Sequence, residues 1–274
     1  MLSFRSKDRI GKLTKPNKRS FRDAVKMKIA DSLDSPPKTA DGGSPALTSA
    51  IITIVVGQEQ RLFAAHEDVL TLSPVLAQAC RDGFFKSNDR RLFLHDEEPE
   101  TFSCVLEYLY KGDYSPRLVH DKRRTTWMLD GDHKTTPKLG GRGPQANPSA
   151  TIFHSGIGDV ILRDTAVYCA ADRYGLDELK KLALRKQGLQ SGIEVSTILR
   201  SARYAYDNTP DTDSRLRAHY LALVIRSRKT FKRSGTMQME MEIGGKLFFD
   251  LFVAMCNHMD DLESLNIKGT PKTI

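Results

Sequence analysis

Three runs of this chain crowd reactive side chains together, and each has to be weighed as chemistry before anything else is read from it. His66-Glu67-Asp68 sets an imidazole beside two carboxylates, the ingredients of a proton relay. Consecutive residues project in divergent directions, however, whereas a nucleophilic triad needs them to converge. Asp96-Glu97-Glu98 could supply paired carboxylates for acid–base work. They stand just before Pro99 and a helical pattern, where negative charge complements a helix N-terminus, so helix capping is the reading. Gly140-Gly-Arg-Gly143 has neither the preceding strand nor the Lys-Ser/Thr of a phosphate loop. Ser155-Gly-Ile-Gly158 reads as a turn and not as a nucleophile elbow. Cys80, Cys104, Cys169 and Cys256 lie in apolar, helix-like stretches without a CxxC pair, and the seven histidines are scattered. No set has zinc spacing, and core thiols in a reducing compartment are expected. No catalytic, metal or cofactor-binding residue is assigned, and no enzyme activity is expected. Arg123-Arg-Thr-Thr126 resembles a basophilic kinase site, with Thr126 the candidate acceptor whose phosphate would offset a local basic patch.

The elements that would hold these residues can be read from periodicity. Ile51-Ile-Thr-Ile-Val-Val-Gly57 is a β-branched run closed by glycine, and Arg61-Leu-Phe-Ala-Ala-His66 returns after a short turn, so both read as strands. From Glu67 the period becomes helical, with Pro74 marking a break or a new start. Arg91-Leu-Phe-Leu-His95 is a third short strand. The spacing of Phe102, Val105, Leu106, Leu109 and Tyr110 predicts a helix that begins at Pro99 and stops at Gly112. Residues 115–157 hold four prolines and a glycine cluster with little periodicity, and are expected to be a disordered insertion. Helical pattern resumes from Val160 to Tyr174, and Asp177 is expected to cap a further helix that ends at Gly188. Three more amphipathic helices follow, around Val195–Tyr206, Leu216–Ile225 and Leu247–Met259.

The net charge of +8 is confined to one place: residues 1–28 carry ten Lys/Arg against Asp8 and Asp23, which leaves the remainder neutral. A neutral body argues against a nucleic-acid-binding face on the fold, so contact with nucleic acid is expected only through the basic arm 1–28, which could equally act as a nuclear import signal. Asp8, Pro16 and Asp23 interrupt any acid-free transit helix. No apolar run reaches membrane-spanning length, so no membrane segment is expected. The expected organisation is a disordered basic arm and spacer (1–48), a folded domain (49–188) interrupted at 115–157, a helical C-terminal extension (189–265) and a tail (266–274). The expected class is α+β, a small sheet flanked by a helical cluster followed by an all-α extension.

Three blocks then coincide with a known pattern. Gly57, Phe63, His66, Leu70 and Ser73 stand as in the family's strand–Gly, Phe-x-x-His, Val-Leu, Ser opening. Pro99, Phe102, Leu106, Tyr108, Tyr110 and Gly112 match its third-helix signature, and Ala171, Asp172 and Tyr174 its Ala-Asp-x-Tyr helix pair. Over residues 51–114 and 158–187 the chain resembles a BTB/POZ domain, and the later helices resemble the tail of stand-alone fungal members. The resemblance implies an intracellular adaptor, cytoplasmic or nuclear, with protein partners. It implies a cullin scaffold as one partner, and a homodimer weakened by Ile51 standing where many dimeric members carry Asp. Tyr108 and Tyr110, aromatics with a polar tip, suit either the core or a partner contact, and the candidate partner surface is Cys104, Tyr108, Tyr110 and Tyr114. The alternative is a nuclear scaffold or transcriptional co-regulator without a ligase role.

Overall fold

The computed structural model describes residues 49–86, 90–121, 126–130, 150–190 and 192–269. The basic arm 1–28, the spacer up to residue 48 and most of the expected tail lie outside these residues. The described part of the chain belongs to one unit spanning Ala46–Ile274, of mixed α+β class.

β1 (Ile51–Val56) and β2 (Arg61–His66) form an antiparallel hairpin, and β3 (Arg91–Leu94) adds to the other side of β1 in parallel, giving the order β2-β1-β3. The hairpin turns at Gly57, whose φ of +74° favours a residue without Cβ. A Cβ there would also stand 3.2 Å from the Glu97 carbonyl and the Pro99 ring, so this glycine lets the hairpin touch the next helix. Strand alternation sends Ile52, Ile54 and Val56 to one buried face. On that face the Phe63 ring meets Phe102 edge-on at 5.4 Å, and Phe102 meets Tyr174 at 6.2 Å.

The short helix α1 (Glu67–Leu70) ends at the turn that leads to α2 (Pro74–Lys86), so Pro74 starts a new helix instead of breaking an old one. Ser73 caps α2 by accepting the Leu76 N–H at 3.2 Å, and its hydroxyl donates to the Tyr174 carbonyl at 2.7 Å. α3 (Pro99–Lys111) runs from Pro in its first turn to Gly112 at φ +70°, which donates back to the Tyr108 carbonyl.

The segment expected to be a structureless insertion is not structureless throughout. β4 (Leu118–Asp121) pairs with β5 (Thr126–Leu129), and β6 (Thr151–His154) pairs with β7 (Asp159–Leu162) across the Ser155–Gly158 turn. Each strand is four residues long, too short for its alternation to rise above the surrounding Pro and Gly. Val160 and Leu162 accordingly belong to β7, and the helix expected to include them begins only at Arg163. The residues between these hairpins, 131–149, lie outside the described set.

That helix, α4 (Arg163–Arg173), is buried from Asp164 to Ala171 on every side, the signature of a helix at the centre of a domain. It turns at Gly175 (φ +68°), where a Cβ would lie 2.8 Å from Pro74, into α5 (Asp177–Gln187). α6 (Val195–Asn208) continues the same core: Ser201 accepts the Leu162 N–H and donates to the Thr197 carbonyl. α7 (Arg215–Arg226), α8 (Arg228–Phe231), α9 (Gly235–Ile243) and α10 (Lys246–Gly269) complete the chain. A second apolar cluster of Leu199, Val224, Phe231, Met237 and Leu251 ties them to α6. α8 and α9 are additions to the three amphipathic helices expected here.

Candidate protein-interaction surface

Of the reactive residues singled out in the sequence, His66, Glu97 and Glu98 are engaged within the fold, while Asp68 and Asp96 are exposed. His66 stands where β2 meets α1. Its backbone N–H donates to the Tyr110 hydroxyl at 2.9 Å, and its Nδ1 lies 2.8 Å from the same oxygen. The Tyr110 hydroxyl thus serves both the backbone and the ring of His66. The pair fastens the end of α3 to the strand–helix junction, and neither Glu67 nor Asp68 shares in it.

The acidic run before α3 is not a set of caps. Glu98, the residue at the N-cap, makes no capping bond through its side chain. It accepts instead from the Ser155 N–H at 2.8 Å and from the Ser155 hydroxyl, which ties α3 to the β6–β7 turn. Glu97 is buried and accepts from Arg173 Nη2 at 2.9 and 3.0 Å and from the Tyr174 hydroxyl at 2.9 Å. Desolvation and the neighbouring carboxylate push the Tyr174 phenol well above its ordinary value. Local charge statistics suggested a helix-dipole role, but the carboxylates act across the fold, between residues 57 to 77 positions apart.

A second buried cluster was not anticipated at all. Lys186 of α5 is fully buried: Nζ pairs with Asp113 at 2.5 Å, donates to the Tyr114 and Pro116 carbonyls, and lies 3.6 Å from the centre of the Tyr114 ring. Burial pulls its pKa down while Asp113 opposes the shift. The Tyr114 hydroxyl donates to Asp164 at 2.6 Å, and Gln190 donates to the other oxygen of that carboxylate at 2.8 Å. Desolvation raises the Asp164 pKa, with both hydrogen bonds opposing. Lys186 falls on the apolar stripe of Leu179 and Ala183, and a lysine in that register was the available signal.

These contacts overturn the expected partner surface. Cys104, Tyr108 and Tyr114 are buried within the chain, and Tyr110 is half-buried against His66. The signature residues Leu70, Phe102 and Ala171 are core, Phe63 and Leu106 are half-buried, and Asp172 is paired with Lys180 at 2.5 Å. Thr126 is exposed on β5, paired in register with Asp121, and the basic residues before it lie outside the described set. Cys80, Cys104 and Cys169 are buried free thiols, and burial pushes Cys104 up to about 11 and Cys169 to about 12. Such thiols are inert as nucleophiles. Among the described residues no group of His, Cys, Asp or Glu could hold a metal ion, and no helix is long and apolar enough to cross a membrane.

What faces outward is apolar. The far side of the sheet carries Leu62 on β2 and Phe93 on β3, in register on either side of Val55 of β1, which is itself buried between them. Leu62 is 69% and Phe93 53% exposed, and Ile51 stands exposed on the same face of β1. The ring of Phe93 stacks on His95 at 5.6 Å, which fixes its orientation. A row of this kind on a hydrogen-bonded sheet is preorganised for another protein surface, because binding to it orders few additional groups. A cleft of about 210 Å³ is lined by Tyr168, Lys180, Lys181, Leu184, Arg185 and Arg215. Its charges are largely met within the chain: Lys180 pairs with Asp172 and Asp213, and Lys181 with Glu178. No protein-family model matches the chain, and no curated protein matches it.

Proposed function

We propose that the chain is a protein–protein interaction adaptor built on a BTB/POZ-type domain, which recruits a cullin-type ubiquitin-ligase scaffold while the C-terminal helices select or support the cargo. The observation that carries the adaptor reading is the outward face of the sheet, where Leu62, Phe93 and Ile51 present apolar surface around the buried Val55. The buried carboxylates, phenols and lysine described above support it from the other side, since each is engaged by a neighbour that holds the fold together. The cullin role rests on the resemblance of residues 51–114 and 158–187. Binding of the full chain to a purified cullin N-terminal region at tens of micromolar tests it, and no binding there removes the ligase role. The double variant Leu62→Glu/Phe93→Glu tests the row, and should abolish partner capture while leaving the melting temperature unchanged.

The basic arm favours a second reading, a nuclear scaffold or transcriptional co-regulator without a ligase role. Deletion of residues 1–28 should then abolish nuclear accumulation, and an unchanged distribution removes that reading.

A further inference from the structure

The last helix is apolar on two sides. Leu247 and Leu251 are buried against the C-terminal cluster, with Phe248 packed at its margin. At 100° per residue, Phe249, Phe252, Met255, Met259 and Leu262 lie on the arc beyond them, and all five are exposed. Phe249 is 68% and Phe252 66% exposed, and a contiguous exposed apolar patch marks an interaction site. A helix with so broad an apolar arc is normally covered from both directions, and here one direction is open.

The spacing of the open face identifies what covers it. The five positions are nearly palindromic about the point between Met255 and Cys256. Reversing the helix on itself sets Phe249 opposite Leu262, Phe252 opposite Met259, and Met255 opposite Cys256. A two-fold interface requires this self-complementarity, since each residue must meet its counterpart twice. It also sets each bulky ring against a flexible or branched aliphatic side chain, which packs better than ring on ring. The charges agree. Glu263 lies on the same arc as the apolar residues, towards one end of the helix, so a parallel pair would set Glu263 against Glu263, whereas an antiparallel pair sends the two to opposite ends. The exposed apolar surface is on the order of 600 Å² per copy, taking aromatic side chains at about 150–250 Å² each. Two copies would bury about 1,200 Å², the lower bound for a stable specific interface.

We infer that the chain dimerises through its C-terminal helix, two copies of Lys246–Gly269 packing antiparallel about a two-fold axis near Met255–Cys256. This does not rest on the adaptor reading and uses none of the sheet residues.

Light scattering of the full chain across about 1–100 micromolar tests it, the range suited to an interface of this size. The mass should move from one to two copies within that range. Phe252→Arg and Met259→Glu alone should each hold the chain at one copy, with the melting temperature of the dilute, single-copy wild type, both positions being exposed. Mixed together they should form a heterodimer, because each two-fold contact then pairs either Arg with Glu or Met with Phe. Mild oxidation of the wild type should give a disulfide dimer that Cys256→Ser abolishes, since the other three cysteines are buried. A wild type of single-copy mass at 100 micromolar overturns the inference. So does a dimer that survives Phe252→Arg, or two single variants that fail to recombine.

Discussion

Replacing Lys186 by Met tests whether the buried ammonium organises the beginning of the segment that the sequence left unstructured. The change keeps chain length and apolar volume while removing the charge. Three acceptors lose their donor: Asp113 at 2.5 Å, and the carbonyls of Tyr114 and Pro116. Breaking one partner out of a buried ion pair costs about 3–5 kcal/mol. Asp113 is only partly orphaned, since its Oδ1 still accepts the Tyr114 N–H at 2.8 Å and its Oδ2 the Leu118 N–H at 3.0 Å. Met also relieves the desolvation that depresses the lysine pKa. The loss should therefore sit at the low end, about 3 kcal/mol. In urea at pH 7, with an m-value of about 2 kcal/mol/M, the midpoint falls by about 1.5 M with m unchanged. The linkage provides a second reading. Because the folded lysine releases its proton below its ordinary pKa, the unfolded chain binds more protons in the window beneath that value, so wild-type stability should rise with pH through it. Lys186→Met should lack this rise. A midpoint shift below about 0.3 M, or an identical alkaline slope in the variant, would refute the account of Lys186 as a buried charged anchor.

Two further substitutions probe the interior. Ser73→Ala removes the cap of α2, worth about 0.5–2 kcal/mol, and leaves the Tyr174 carbonyl without that donor at about 1–3 kcal/mol more. Thermal unfolding should show a drop of several degrees, and an unchanged melting temperature would mean that the hydroxyl is replaceable. Asp164→Asn keeps the shape while removing a buried charge. Because the folded pKa of Asp164 lies above its unfolded value, its contribution is fully present below the unfolded pKa and is lost as pH rises through the folded one. The stability of wild type relative to Asp164→Asn should therefore increase as pH falls from neutrality into the carboxylate range, measured by parallel urea titrations, and a difference independent of pH contradicts the assignment.

The sequence disclosed some of this better than the rest, for physical reasons. The β1–β2 hairpin, an interruption at Pro74 and the span of α3 were legible because each is marked by a residue with its own backbone requirement: Gly57, Pro74, Pro99 and Gly112. The hairpins β4–β5 and β6–β7 were not, because four-residue strands carry at most two inward side chains and their partners lie beyond the turn. The candidate partner surface failed for a related reason. An aromatic residue with a polar tip suits an interface and a satisfied core equally, and Tyr114 was resolved as core only by Asp164, fifty residues away. Glu97 was misread as a cap for the same cause, since Arg173 and Tyr174 that hold it are distant in sequence and near in space.

The two open apolar surfaces lie on different elements, and that separation has a consequence for how an adaptor would work. If the C-terminal helix pairs with its counterpart, the row on the β2-β1-β3 sheet stays free in each copy, and one assembly carries two identical docking rows. A partner with two matching sites would then bind with the second contact at an effective concentration set by the dimer geometry and not by the solution, which can raise the apparent affinity by about 10²–10⁴. A monovalent partner would gain nothing. The Phe252→Arg chain, monomeric and with its sheet row intact, distinguishes the two: it should bind a single-site partner as tightly as wild type and an immobilised, multivalent partner far more weakly. Equal retention on both would mean that dimerisation and docking are unconnected in this protein.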